Sequence, residues 1–363
     1  VAWIIGWDLI LEYAVSNMAV AVGFSAYFNS ILDALFGVHL PRELSEPMIV
    51  NGEFSGAWFN VPALLIILVL SAILVRGVKE SAGANNVMVL IKVAAILIFV
   101  IGASRAVNTT NWQPFMPNGF TGVLTGAAIV FFTYIGFDSV STAAEECKNP
   151  KRDLPLGIFF TLGICAILYA SVALVLTGIA DWRSLNNAAP VANALKAIGF
   201  EGLQGVVSVG AAIGMISSLL VFQYGQARVW FAMSRDKLLP DVFSKVHSKH
   251  QTPHVSTWVA GFAVGVPAGI WDIGTFADLS NIGTLFAFAL ASAGVIVLRK
   301  RQPDRPRGFR VPLVPLIPIL SITMCVILMM SLPLETWIRF FVWLIIGLAI
   351  YFLYSRPRLE TSR

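Results

Sequence analysis

Ten stretches of mainly apolar residues constrain this chain more than any other feature. They run at about 1–29, 61–76, 87–104, 121–144, 155–179, 203–232, 255–271, 276–298, 312–332 and 335–354. A hydrocarbon core about 30 Å thick is crossed by roughly 20 helical residues, and a segment inside it must satisfy its own backbone amides. The pattern therefore predicts an all-α integral membrane protein with about ten transmembrane helices. Only a few residues around Pro333 separate the last two stretches, which predicts a tight hairpin. No polar stretch is long enough to fold as a separate soluble domain. Composition agrees: 57% of the residues are hydrophobic and 12% charged, against about 25% charged in a soluble domain. Mean hydropathy is +0.78.

Charge gives the orientation. With the N-terminus inside, the inner segments 76–86, 145–154, 228–254, 299–311 and the tail from 355 carry 19 of the 25 Lys and Arg residues. The outer segments carry five, Arg42, Arg105, Arg183, Lys196 and Arg339, and the last is Lys92, within a span. Basic residues favour the cytoplasmic side, so both termini are expected there. The same asymmetry accounts for the net charge of +5 without a nucleic-acid partner. The loop at 30–60 is the longest outer one and reads as an outer cap. Asn108-Thr109-Thr110 is an outward sequon of a kind that is common by chance. Cys147, Cys165 and Cys325 share no spacing of a metal or redox site and read as apolar packing. The chain opens at Val1 directly into hydrophobic sequence, without a charged leader or cleavage pattern. That reads as an N-terminally truncated piece of a longer protein.

Ionisable side chains inside spans cost about 2.5–3.5 kcal/mol on insertion scales and usually face a bundle interior or a wet cavity. Four stand out: Asp8, Glu12, Lys92 and Asp138. Asp8 and Glu12 are four apart in IIGWDLILEYAVSN and share a helix face. Glu12 falls about 16 Å along a helix starting at the inner edge, near midplane. It could hold a cationic ligand or a proton, or make a structural hydrogen bond to another helix. Lys92, in NNVMVLIKVAAILIFV, lies about two turns in from the inner side. Buried, it could carry a proton or stand in for a sodium ion; a lysine snorkelling to the inner interface is the alternative.

Residues 130–146, VFFTYIGFDSVSTAAEE, place Gly136 and Asp138 within a span, beside hydroxyls at Thr133, Ser139, Ser141 and Thr142. Such a stretch can break the helix and open backbone groups to a ligand at midplane. It can equally be a continuous helix in which Gly136 packs against a neighbour. No enzyme signature appears: there is no H-E-x-x-H, GxSxG or P-loop. His39, His247, His250 and His254 all fall in loops, and the last three read as part of a solvated basic loop.

Several blocks together resemble a known family. WDLILEYA, GVKESAGANNVMVLIK, FFTYIGFDSVSTAAEECKNPKRDLPLGI, ARVWFAMSRDKLLPDVFSKVHSKHQTPH, NIGTLFAFALASAGVIVLR and GFRVPLVPLIPILSI follow one another in that family's order. The chain is thereby similar to the cationic amino acid transporters, a branch of the amino acid–polyamine–organocation (APC) superfamily. The resemblance implies a LeuT-like inverted-repeat transporter fold whose first two spans are absent here. Residues 1–104 would be an incomplete first repeat (family spans three to five). Residues 105–298 would be the second, inverted repeat (spans six to ten), and 299–363 two additional C-terminal spans with a cytoplasmic tail. It implies a broken sixth span in the FFTYIGFDS block, with Phe132, Thr133 and Ile135 offering carbonyls to a substrate ammonium. Phe132 would also form an aromatic wall or gate. Asp138 and Glu12 would face the substrate pocket, and Lys92 would take the place of a sodium ion. The implied function is secondary transport of amino acids (arginine, lysine, ornithine or a broader set) across the plasma membrane by alternating access. Coupling would be to protons, with no cofactor and no metal. The missing first broken helix leaves a second expectation, a non-transporting membrane fragment or regulatory subunit.

Overall fold

The computed structural model describes residues 2–50, 52–77, 82–137, 149–304, 307 and 309–361. The chain runs through α1 (Ala2–Phe36), α2 (Arg42–Ser45), β1 (Ile49–Val50), β2 (Glu53–Phe54), α3 (Val61–Val75), α4 (Ala82–Ala103), α5 (Gly119–Val130), α6 (Pro150–Ile179) and α7 (Pro190–Ala197). It continues through α8 (Glu201–Arg235), α9 (His254–Ile270), α10 (Ile273–Arg301), α11 (Leu316–Met330), α12 (Leu334–Ile350) and α13 (Arg356–Thr361). A π-helical turn, Tyr351–Ser355, links the last two. Each of the ten apolar stretches contains a helix. Six of these helices are long and apolar enough to cross a membrane, and four shorter apolar ones are Val61–Val75, Gly119–Tyr134, His254–Ile270 and Leu316–Met330. The protein is thus a multi-pass membrane protein. The loop expected as an outer cap folds into α2 and a short antiparallel hairpin pairing Ile49 with Phe54 and Val50 with Glu53. Asn60 caps α3, accepting from the Ala63 amide at 3.1 Å.

Packing divides the chain into two compact units. The first comprises Val1–Trp112, Leu174–Ala277 and Phe341–Arg363, and the second Gln113–Ala173 and Asp278–Phe340. The first takes residues from all three sequence segments set out above, the second from the last two.

In the first unit α8 is the helix against which others are laid. It runs antiparallel to α1, as paired contacts show: Gly205 with Ala34, Gly225 with Tyr13, and Gly6 with Met233. It runs antiparallel to α4 as well, Leu203 lying against Gly102 and Gly214 against Lys92. Small residues let the backbones approach, which is how membrane helices gain van der Waals contact without a hydrophobic drive between them. At Gly210 the approach is close enough that a Cβ would overlap that of Ala95. The α3–α9 pair uses the same device, with Gly265 against Leu64, and Gly269 meets Phe59 just before α3. A buried polar chain ties four helices together. Gln223 donates to the Ser71 hydroxyl (3.1 Å) and the Thr257 carbonyl (3.4 Å), and accepts from Asn17 (3.1 Å). Near the start of α1, Trp3 and Trp7 donate to the carbonyls of Gly347 (2.9 Å) and Trp343 (3.0 Å) on α12.

In the second unit, Phe131 and Phe137 pack on Phe288 of α10, with ring centroids 6.1 and 5.4 Å away. Ser292 and Ser321 share a hydrogen bond of 3.0 Å between α10 and α11. The α11–α12 turn is the tight hairpin expected around Pro333: the Pro333 carbonyl accepts from Thr336 at 3.1 Å, and Trp337 donates to Met329 at 3.1 Å.

Candidate functional site

At its C-terminal end α5 gives way, after Val130, to other geometry. Four residues of 3-10 helix follow, Phe131–Tyr134, then Ile135 is extended at φ −59° and ψ 136°. Gly136 stands at φ +111°, backbone that side chains rarely tolerate. So glycine here is a conformational requirement: it lets the chain leave the helix axis. Inside lipid, carbonyls at such a break must find donors other than water. The Ile129 carbonyl accepts from Asn281 Nδ2 and the Thr133 carbonyl from the Tyr169 hydroxyl, both at 3.0 Å. The Val130 carbonyl accepts from the Thr133 hydroxyl (2.8 Å), and Phe132 from the Ile135 amide (3.2 Å).

Phe132, Thr133 and Ile135 are therefore contiguous on the interrupted segment, Thr133 exposed and the other two half-buried. The Phe132 and Thr133 carbonyls each hold one donor already, and a carbonyl oxygen has two lone pairs. Asp138 lies outside the described residues, so no geometry attaches to it.

Glu12 and Lys92 belong to the first unit. Glu12 on α1 is 3% exposed and Asp8, one turn before it, 7%. Tyr13 packs on Gly225, which sets Glu12 at the level of Gln226 on α8. Lys92, midway along α4, lays its aliphatic stem on Gly214, with Cβ 3.0 Å from where a methyl there would stand. The two levels on α8 are about 16–18 Å apart at 1.5 Å per residue. The structure thus buries Glu12 on α1 and half-buries Lys92 on α4, both helices packed along α8, at levels that do not make the two side chains neighbours.

Asn281 and Tyr169, which hold carbonyls at the interruption, are not among the residues singled out from the sequence. Asn281 stood in NIGTLFAF as a lone amide in an apolar span, and that was the available signal. His247, His250 and His254 do cluster, with ring centroids 4.9 and 5.3 Å from His247. The His247 Nδ1 accepts from the amides of Lys249 (3.2 Å) and His250 (3.3 Å), so the turn is self-capped. Among the described residues no group of His, Cys, Asp or Glu is arranged to hold a metal ion. Outside the spans, the hydrogen bond from Lys237 (3.1 Å), aided by the Arg358 guanidinium 3.5 Å away, holds the Asp241 carboxyl below the usual aspartate range.

Comparison with known proteins adds a consistent picture. A family model described as amino acid permease matches residues 1–351. The chain is 49% identical to the methylthioribose transporter of Bacillus subtilis, over 98% of this chain and 76% of that protein. It is also 49% identical to the branched-chain amino acid permease BcaP of the same organism, over 100% of this chain and 78% of that one. Identity to the chloroplastic cationic amino acid transporter 9 of Arabidopsis thaliana is 31%, over 99% and 75%.

Proposed function

The chain belongs to the amino acid permease family, and from that premise we propose that it is a secondary transporter carrying amino acids across the plasma membrane by alternating access. The observation that carries this reading is the interruption of α5, where Phe131–Tyr134 tighten, Ile135 extends and Gly136 turns. Breaks of this kind present backbone dipoles and carbonyls inside the bilayer, where an ammonium can be held without a buried counter-charge. A LeuT-like arrangement of inverted repeats is the fold in which such a break works, and it is part of the proposal.

For the side chain of the substrate, the first reading is a branched apolar one. It rests on the relative at 49% identity that is named for branched-chain amino acids, against 31% for the cationic transporter cited above. A cationic substrate is the second reading, favoured by the burial of Glu12. Coupling to protons is proposed through Lys92, whose ammonium would stand where a sodium ion could otherwise bind.

The test is uptake of labelled leucine, arginine and methylthioribose into proteoliposomes, with and without an inward proton gradient. Leucine uptake that rises with the gradient, and is competed weakly by arginine, supports the first reading. Arginine uptake alone supports the second. Full gradient-driven uptake by Lys92→Ala would remove the proton role. Transport of none of the three would remove the substrate proposal.

A further inference from the structure

Interrupting a helix in an apolar unit creates a specific need for donors from elsewhere in the fold. Two such donors come from different helices. Asn281 of α10 is 0% exposed and reaches the Ile129 carbonyl through Nδ2 at 3.0 Å. Tyr169 of α6 reaches the Thr133 carbonyl at 3.0 Å, and its ring meets Tyr134 edge-on with centroids 5.2 Å apart. One acceptor lies in the last turn of α5 and the other inside the 3-10 turn, so the pair brackets the change of geometry. Two turns along α10 from Asn281, Phe288 packs against both Phe131 and Phe137. The same helix thus meets the interruption with a polar contact at one level and an aromatic one at the next. The Asn281 amide oxygen is buried and has no hydrogen-bond partner among the described residues. Within them, the bond to Ile129 is what orients the amide.

We infer that Asn281 and Tyr169 are positioning residues of the interrupted helix. They clamp its two sides and so fix the direction in which Phe132, Thr133 and Ile135 present their backbone groups. The inference rests on the reading of that segment as the substrate-binding element. It does not require either residue to touch substrate. What it requires is donor chemistry. An ionised aspartate at 281 can only accept, and would face the Ile129 carbonyl with a second acceptor; a serine keeps one donor; phenylalanine at 169 removes the hydroxyl alone.

The experiment compares Asn281→Asp, Asn281→Leu, Asn281→Ser and Tyr169→Phe in the full chain. One arm reads the substrate dependence of labelled leucine or arginine uptake, whichever the wild type takes up. The other reads hydrogen–deuterium exchange of the peptide spanning 129–137, which reports opening of that segment whether or not substrate is carried. Asn281→Asp and Asn281→Leu are expected to raise KM about tenfold with Vmax per folded molecule changed much less. Asn281→Ser should recover most of that loss, and Tyr169→Phe should show a smaller rise. Exchange over 129–137 should accelerate in all but the serine variant and stay unchanged in the remaining helices. Unchanged exchange in Tyr169→Phe and Asn281→Leu overturns the clamp. Faster exchange with unaltered KM overturns the positioning role. Absence of uptake by the wild type itself counts against the transport reading, and exchange then decides the clamp alone.

Discussion

The contact between Gly210 of α8 and Ala95 of α4 makes a prediction that is unusually strict about size. A methyl group on Gly210 would overlap the Ala95 Cβ and stand 3.6 Å from its Cα. Room therefore exists for one methyl between these helices, and α4 already supplies it. Gly210→Ala forces the helices apart, an overpacking cost of about 1–3 kcal/mol. Ala95→Gly alone opens a methyl-sized void at a site that is 7% exposed, costing about 1 kcal/mol. If the two changes acted independently, the double variant would fall roughly 2–4 kcal/mol below wild type. Because the methyl merely moves from α4 to α8, the double variant is instead expected within about 1 kcal/mol of wild type. Reversible unfolding of the purified protein in mixed micelles measures all four corners of the cycle. Additive losses would refute the packing argument, since they would mean that the two positions do not share one space. A second readout follows from Lys92, which precedes Ala95 by one turn and rests on Gly214. Gradient-driven uptake should fall in Gly210→Ala and return in the double variant.

Other outcomes follow from the same structure. Ser71→Ala and Gln223→Leu each remove one partner of the 3.1 Å bond between α3 and α8, and a double-mutant cycle in bilayers should give a coupling of about 0.6 kcal/mol, at most about 1.7; zero coupling would mean the bond does not hold the helices. Gly269→Ala would drive a methyl into the Phe59 ring and should lower the thermal midpoint, with Phe59→Leu restoring part of it; a midpoint equal to wild type would contradict the close approach of Phe59 to α9. The contacts of Asp241 with Lys237 and Arg358 need an ionised carboxylate whose pKa is depressed in the fold. Their contribution is complete above the ordinary aspartate value of 3.8 and is lost as pH falls through the lower folded value. Protection of the 356–361 amides, with intrinsic exchange divided out, should accordingly be constant across the neutral range and fall only in acid, whereas Asp241→Asn should lower it across the neutral range and match wild type in acid.

The helices were legible in the sequence because length and apolarity alone decide what can cross a bilayer, and α1, α4, α6, α8 and α10 all follow that rule. The weakness of the helix at Gly136 was legible too, though a packing notch would have left the same letters. The φ of +111° separates the two possibilities. What stayed hidden depends on long-range pairing. The bond from Asn281 to Ile129 closes over 152 residues, and no local pattern around either residue announces it. Glu12 and Lys92 likewise stood out as costly groups, but only the register of α1 and α4 along α8 shows them to be at different levels. The histidines at 247, 250 and 254 do not lie along one helix, and it is the turn closed by the His247 ring that gathers them.

The two indole bonds between α1 and α12 have a consequence for how the last span can be assembled. Trp3 and Trp7 are four residues apart, and so are their acceptors Trp343 and Gly347, in reversed order. The Trp7 ring also stacks on Trp343 with centroids 4.4 Å apart, in a recess where any side chain at 347 would collide with it. Sliding α12 by one residue would turn its contact face by about 100° and release both bonds and the stack together. The pair therefore acts as a two-toothed key, the stack and the recess at Gly347 setting the depth and the two bonds the azimuth at which α12 meets α1.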